Sequence, residues 1–339
     1  MEVPCVRVRP GDGEAVRTRL AEADLIDDTH EITLRDGWLY VPLVDAATED
    51  TTSATSLEEV ADGPVTVERA SLAQRETQTL PADILGWDPA YERLGNAALL
   101  EEADPECAQE IARAIVDSDL PLETVLNKAS KIKGEERVRD WDLLAGEGTE
   151  VVHREYGSTY ALDLSAVYFS ARLATERRRV TEQVQAGERV FDMFAGVGPF
   201  VVPAAKRGAT VVGVDINETA IEYLRENASR NDVAAHVTAI AADVTEVAPE
   251  YEGWADRLVM NLPHSADEFL PAAVRIAGTE CVIHYYDIQH EADPFGPGER
   301  AIREAATPAY DVTVETRREV RSYAPHEVNV CLDVRLEQR

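Results

Sequence analysis

The chain has 339 residues, 45% of them hydrophobic, which allows two or three domains with real cores and argues against disorder. No run of 18 apolar residues occurs, and Met1-Glu2-Val3-Pro4 has neither the basic nor the apolar region of a leader, so a cytoplasmic protein without a membrane span is expected. Acids outnumber bases 64 to 33, for a net charge of −31, and only four of the bases are lysine. Such a coat is foreign to an ordinary nucleic-acid binder. It suits a halophile, because in about 1 M salt the Debye length shrinks to roughly 3 Å and net charge no longer excludes a polyanionic partner. Cys5, Cys107, Cys281 and Cys331 stand far apart with no CxxC pair, so buried reduced thiols are expected and no metal site.

The first predicted elements are a strand at 6–9 and a helix at 13–23 with Val16, Leu20 and Ala21 on one face. Strands at 31–35 and 38–44 flank Asp36-Gly37, a strong hairpin turn. Residues 45–63 are acidic and rich in Thr and Ser, as a linker would be, and 65–70 reads as a last strand. A second unit contains a helix at 104–117, capped by Asp104 with Pro105 at its first position, and antiparallel strand pattern over 138–164. From 171 onward helical and strand patterns alternate, with strands at 189–194, 210–215, 236–241, 256–261, 280–286, 310–320 and 327–336. That alternation predicts a doubly wound α/β sheet. The expected domains are therefore 1–70 and 71–170, both small and α+β, and 171–339.

Ligands of such a sheet lie beyond the carboxyl ends of its strands. There Asp192-Met193-Phe194-Ala195-Gly196-Val197-Gly198 breaks an apolar strand into a glycine turn, and glycine lets a backbone approach a ligand closely. A dinucleotide turn or plain strand–helix packing would also account for it. Two further acids sharpen the reading. Asp215 ends the next strand, where a carboxylate accepts from ribose hydroxyls, and Ile216 could pack on adenine. Asp243, beside Val244, ends the third and could accept from an adenine amino group. Three acids at three strand ends suit a neutral nucleoside, which makes S-adenosyl-L-methionine the expected cofactor. Asn261-Leu262-Pro263 ends a fourth strand. An amide that both donates and accepts, on a turn fixed by proline, suits a planar nitrogen-bearing substrate.

Five motifs in order carry a resemblance: His153-Arg154-Glu155-Tyr156-Gly157, residues 168–177, residues 192–200, Met260-Asn261-Leu262-Pro263 and His284-Tyr285-Tyr286. Together they resemble the archaeal and eukaryotic tRNA (guanine-N1)-methyltransferases acting at guanosine 37, closely over 80–290 and more loosely before it. The chain departs at Ala171, where the family usually has proline. The resemblance implies a Rossmann-like class I methyltransferase domain preceded by two smaller domains, with tRNA as partner and residues 1–70 touching its elbow. A monomer is expected.

The resemblance also implies roles. Guanine N1 carries a proton, so methylation needs a base and a cation for the charge developing on O6. Glu176 is the implied base; by itself, a glutamate among Arg172, Arg177, Arg178 and Arg179 would read as a surface ion pair. Tyr168, Arg172 and Glu176 are four apart and would share a helical face, with Tyr168 and Arg172 on the substrate. Arg177 is implied to contact the cofactor, with Phe194, Gly196, Gly198 and Pro263. Arg137 is the first choice for O6, with Arg139 as the alternative, and Asn261 would hold the base. Lys128, Lys131 and Lys133 are three of the four lysines and form, with Arg137 and Arg139, a strip for RNA phosphates; a solvated strand edge is the plainer reading. Arg317, Arg318 and Arg321 make a weaker second strip. An aminocarboxypropyl transferase of the wybutosine pathway, a methylase of a wybutosine intermediate, or an RNA-binding protein with a vestigial fold would share much of this pattern. The Asn-Leu-Pro element and Glu176 favour methyl transfer.

Overall fold

Alternating apolar positions near the N-terminus close into a small antiparallel sheet. Its strands are β1 (Glu2–Val8), β2 (Thr33–Arg35), β3 (Trp38–Pro42) and β4 (Thr66–Ser71), in the order β2-β3-β1-β4, with helix α1 (Gly13–Glu22) after β1. Val16 and Leu20 of α1 join Val6, Val8, Val41 and Leu43 in one core, whereas Ala21, expected on the same face, is exposed. Asp36 and Gly37 take successive positive φ of 52° and 78°, the geometry that matches strand twist in a two-residue hairpin. The structure, a computed structural model, describes residues 2–45, 65–75, 78–131, 134 and 138–339. Apart from Asp45, the expected acidic linker lies outside them.

Met1–Thr79 forms one compact unit and Leu80–Arg339 a second. The second opens with α2 (Pro81–Leu85), β5 (Glu92–Leu94), β6 (Ala97–Leu100), α3 (Pro105–Asp117), β7 (Thr124–Lys128) and β8 (Trp141–Ala145). The four strands pair in chain order, and Ile111, Ala112 and Ile115 of α3 pack on Ala98, Leu100 and Val125. Asp104 caps α3, its Oδ1 accepting from the N–H of Glu106 at 2.9 Å and of Cys107 at 3.4 Å. A hairpin of β9 (Glu150–Glu155) and β10 (Ser158–Asp163) follows.

The remainder runs α4 (Ala174–Glu182), β11 (Arg189–Asp192), α5 (Val201–Lys206), β12 (Thr210–Asp215), α6 (Glu218–Arg230), β13 (Val237–Ala241), α7 (Val244–Val247), β14 (Ala255–Met260), α8 (Leu270–Ile276), β15 (Ala277–His290), α9 (Gly296–Ala306), β16 (Tyr310–Ala324) and β17 (Glu327–Gln338). Its sheet has the order β13-β12-β11-β14-β15-β17-β16, parallel through β15 and antiparallel at β17 and β16. Runs such as Val211-Val212-Gly213-Val214 are apolar throughout because each face of the sheet is covered. Strand order reverses beside β11, which makes its carboxyl end a switch point where open sheets bind ligands.

Two expectations need correcting. Residue 170 does not divide compact units. The β9–β10 hairpin is tied to α6 by the buried Asn227, which bonds Ala161 N at 2.7 Å and Ala161 O at 3.0 Å, and by Asn231 to Thr159 N at 3.0 Å. Nor do Tyr168, Arg172 and Glu176 share a helical face. Helix α4 begins only at Ala174, Arg172 lies in a 3-10 turn (Ala171–Leu173), and Tyr168 precedes both in irregular backbone.

Candidate active site

The turn after β11 is built from both neighbouring strands. Met193 N donates to Val259 O and Ala195 N to Val214 O, at 3.0 and 2.8 Å. The two glycines serve different needs. At Gly198, φ is +92° and a Cβ would stand 2.4 Å from Leu224, so glycine there lets α6 pack against the turn. At Gly196, φ is +50° and a Cβ would meet nothing, which leaves backbone open to a ligand. Asp215 braces the turn through Gly196 N at 2.7 Å and holds Asn217 N at 2.9 Å.

Asp192 is 1% exposed. Its Oδ1 accepts from Phe194 N at 3.3 Å, while the buried Oδ2 has no donor among the described residues. Burial, reinforced by the charge of Asp215, pushes this carboxyl up to about 7. Phe194 packs edge-on against Phe269. Ile216, at the end of β12, keeps 49% of its surface exposed. Asp243 caps α7 by accepting from Thr245 N and Oγ1, both at 2.7 Å. Val244 is buried in the core, so its side chain is not available to a ligand. An orphaned buried acceptor, an open glycine and an exposed apolar side chain at one strand-end row fit a nucleoside that carries an ammonium group. S-adenosyl-L-methionine has that donor set.

Glu176 occupies the first turn of α4. Val180, one turn later, packs with Phe200, Val259, Tyr286 and Cys331 and draws this face of the helix onto the sheet. Glu176 is consequently 3% exposed. Its Oε1 accepts from Arg179 Nη2 at 2.7 Å and from the Tyr286 hydroxyl at 3.1 Å; its Oε2 meets Arg179 Nε at 3.0 Å and Arg318 Nε at 2.9 Å. Burial holds the Tyr286 hydroxyl well above its usual range, so it serves as a donor.

Behind Glu176 runs a line of buried charge. Arg179 also binds Asp333, through Nη1 at 2.5 Å and Nη2 at 3.0 Å. Asp333 faces His284 Nδ1 at 2.6 Å, and His284 Nε2 faces Arg257 Nη1 at 2.6 Å. A guanidinium only donates, so Nε2 accepts and Nδ1 carries the proton. Burial lowers the His284 imidazole below its ordinary value, with Arg257 and Arg179 reinforcing it. Burial alone would raise Asp333, but hydrogen bonds from His284 and Arg179 hold it well below the usual carboxylate range. Arg257 ends the line on Glu188 at 2.7 Å. His284, Cys331 and Asp333 stand close enough to hold a metal ion. The two arginines already supply the cation, and His284 Nε2 is occupied.

The other predicted residues are dispersed. Arg177 is 3% exposed; its Nε and Nη2 bind Glu155 at 2.8 and 2.5 Å, Nη1 binds Ser170 O at 2.9 Å, and its plane lies over Phe169. Each nitrogen thus has an acceptor, and Arg177 braces the segment ahead of α4. Asn261 is half-buried, and its side-chain amide makes no hydrogen bond among the described residues. Pro263 O accepts from Ile288 N at 3.0 Å, which ties the turn to β15. Arg172 is exposed and pairs with Glu92 at 3.0 Å. Lys128 pairs with Glu101 at 2.6 Å, Lys131 is exposed, and Arg139 lies over the Trp141 ring. Lys133 and Arg137 fall outside the described residues. In the N-terminal unit, Arg7 and Arg9 both approach the Trp38 ring, at 5.0 and 5.9 Å, and Arg35 lies over Tyr40. Sequence reasoning placed Glu176 among arginines that include Arg179, but missed Asp333 and the contact of Arg318 with Glu176. The available signal was a lone acid in Val328–Val334, a run buried throughout.

Three family models match in order: the tRNA methyltransferase 5 N-terminal domain over 5–51, the TYW2 N-terminal domain over 77–149 and the TRM5/TYW2 methyltransferase domain over 151–315. The chain is 40% identical to the tRNA (guanine(37)-N(1))-methyltransferase Trm5b of Pyrococcus abyssi, covering 98% of each chain. The crystal structure of that Trm5b superposes with a TM-score of 0.69 at 38% identity over 99% of each chain. A complex of aTrm5 with tRNALeu gives 0.70 at 29% identity over 98% of this chain and 99% of that one. TYW2 of Methanocaldococcus jannaschii, in complex with AdoMet, gives 0.61 at 26% identity over 74% of this chain and all of that one. The chain belongs to the TRM5/TYW2 methyltransferase family, with tRNA (guanine(37)-N1)-methyltransferases among its full-length relatives.

Proposed function

We propose that the protein transfers a methyl group from S-adenosyl-L-methionine to N1 of guanosine 37 in tRNA. The observation that carries this reading is Glu176: a carboxylate buried at the sheet, yet met by an arginine on the half-exposed edge strand. Bound at the glycine turn, S-adenosyl-L-methionine supplies a methyl group on a sulfonium centre. Asp192 and Asp215 hold its amino-acid and ribose ends, Ile216 its adenine. Asn261 orients the guanine through its amide. Glu176 would take the N1 proton as the methyl group passes from sulfur to N1, its carbon–sulfur bond breaking to leave a neutral thioether, and an arginine near O6 would offset the charge appearing there. Arg137 is the first candidate for O6 and Arg139 the alternative; whichever alanine variant loses rate at saturating tRNA identifies it.

RNA contacts have support in each of the two compact units. Lys131 is exposed beside Lys128 and Arg139, and Arg7, Arg9 and Arg35 surround Trp38 and Tyr40 on the small N-terminal unit. Arginine with aromatic rings suits phosphate and base stacking on a tRNA elbow. A tRNA complex of the neighbour aTrm5 supports the same partner.

The test is mass spectrometry of tRNA digests after incubation with labelled cofactor. We expect 1-methylguanosine at position 37, and none when position 37 is not guanosine. An aminocarboxypropyl adduct instead would overturn the reading. Glu176→Gln should retain cofactor binding and lose roughly 10² or more in single-turnover rate.

A further inference from the structure

Arg318 and Arg321 lie on β16, the edge of the large sheet, and share the face that carries Glu176. A bulge between Glu319 and Arg321 sets Arg318 opposite Cys331 and Arg321 opposite Asn329, two alternate positions of β17. Tyr286 and Ile288 of β15 face the same two positions. The Arg318 row meets Glu176, with Nε 2.9 Å from Oε2. Further along, the Tyr323 hydroxyl lies 3.0 Å from His264, directly after the Asn261–Pro263 turn. Arg321 therefore stands between the proposed base and the proposed substrate turn.

Both arginines have unused donors. Arg179 is committed on two sides, to Glu176 and Asp333. Arg318 has a side chain 43% exposed, and among the described residues Glu176 is its one partner, so its two terminal nitrogens are free. Among the described residues the buried Nε of Arg321 has no acceptor, and the buried Oδ1 of Asn329 across from it has no donor. Arg317, on the other side of the strand, is paired with Glu299 at 2.5 Å. Buried donors left unpaired are costly, and a charged ligand relieves them.

We propose that Arg318 and Arg321 form a phosphodiester-receiving pair: Arg318 covers Glu176 before RNA arrives, then yields Oε2 to the guanine N1–H and turns with Arg321 onto the RNA backbone. This rests on Glu176 being the base. Arg318 is the partner able to leave, because Asp333 anchors Arg179 and burial anchors Tyr286.

The experiment uses the full chain with Arg318→Ala, Arg321→Ala, both lysine variants, and Arg318→Ala combined with Glu176→Gln. Single-turnover methylation and filter binding of a guanosine-37 tRNA transcript are followed across a KCl series, with cofactor affinity measured by calorimetry. Each alanine should raise half-saturating tRNA about tenfold and flatten the slope of log affinity against log salt by about 0.7–0.9. Cofactor affinity should not move, and the lysine variants, which keep the charge, should keep the slope. The affinity loss from Arg318→Ala should persist in the Glu176→Gln background. A fall in saturated rate with unchanged tRNA affinity and salt slope would overturn the proposal, making Arg318 only a brace for Glu176. Near-normal rate in Glu176→Gln would overturn the base reading itself, and with it the exchange at Oε2.

Discussion

Asp192 carries an acceptor, Oδ2, that burial has stripped of water and that no donor among the described residues replaces. Its folded-state carboxyl sits near 7, against an ordinary 3.8. The native state therefore binds a proton that the unfolded chain has already released between those values, and stability falls as pH rises through that window. Asp192→Asn should abolish this slope. The thermal midpoint of the ligand-free variant at pH 8 should exceed that of the parent, and cofactor affinity should fall, because a neutral amide no longer attracts an ammonium group. Scanning calorimetry at pH 5 and pH 8, with and without cofactor, reads both effects; a parent midpoint that rises from pH 5 to pH 8 and an unchanged variant would contradict them. Asp192, Asp215 and Asp243 were legible in the sequence because each ends an apolar strand. Their differing environments were not. Asp215 and Asp243 are engaged by local N–H groups, whereas Asp192 accepts one such bond at Oδ1 and its buried Oδ2 has no donor among the described residues.

At the scale of elements, the site depends on how α4 and β17 meet. Arg179 and Asp333 are 154 residues apart, so no local pattern links them. Asp333→Ala would leave Arg179 and the His284–Arg257 pair buried against an apolar side chain. Breaking one partner of such a cluster costs about 3–5 kcal/mol, which denaturant unfolding at fixed KCl should register. Stability from Asp333 is present above its ordinary 3.8 and lost as pH falls below it, the reverse of Asp192. The glycine turn makes a second element-level case. Gly198→Ala places a methyl 2.4 Å from Leu224 at a positive φ, so a loss of about 1–3 kcal/mol is expected from overpacking and backbone strain together. Gly196→Ala, which meets no neighbour, should lose less stability and proportionally more cofactor affinity. Equal unfolding midpoints for the two would reject the distinction.

For the whole molecule, the small N-terminal unit and the acidic coat set the remaining behaviour. Removing residues 1–79 should raise the Michaelis constant for full tRNA while sparing cofactor affinity; an unchanged constant would end the elbow-binding role. A net charge of −31 repels itself at low salt, so the unfolding midpoint should climb with KCl toward the molar range. No helix among the described residues is long and apolar enough to cross a membrane. The sequence by itself determined the sheet class and its ligand row: apolar runs ending in Asp192, Asp215, Asp243 and Asn261 specify a doubly wound sheet with polar groups at its strand ends, since period and turn chemistry are local properties. It also pointed to Glu176, through five motifs in order. Only the tertiary structure decided which charges meet Glu176, that helix α4 starts too late to carry Tyr168 and Arg172 on its face, and that residue 170 is no boundary. Those outcomes depend on long-range packing, in which Arg179, anchored by the buried Asp333 of β17, and Arg318 of the edge strand both reach Glu176, and no spacing along the chain encodes that encounter.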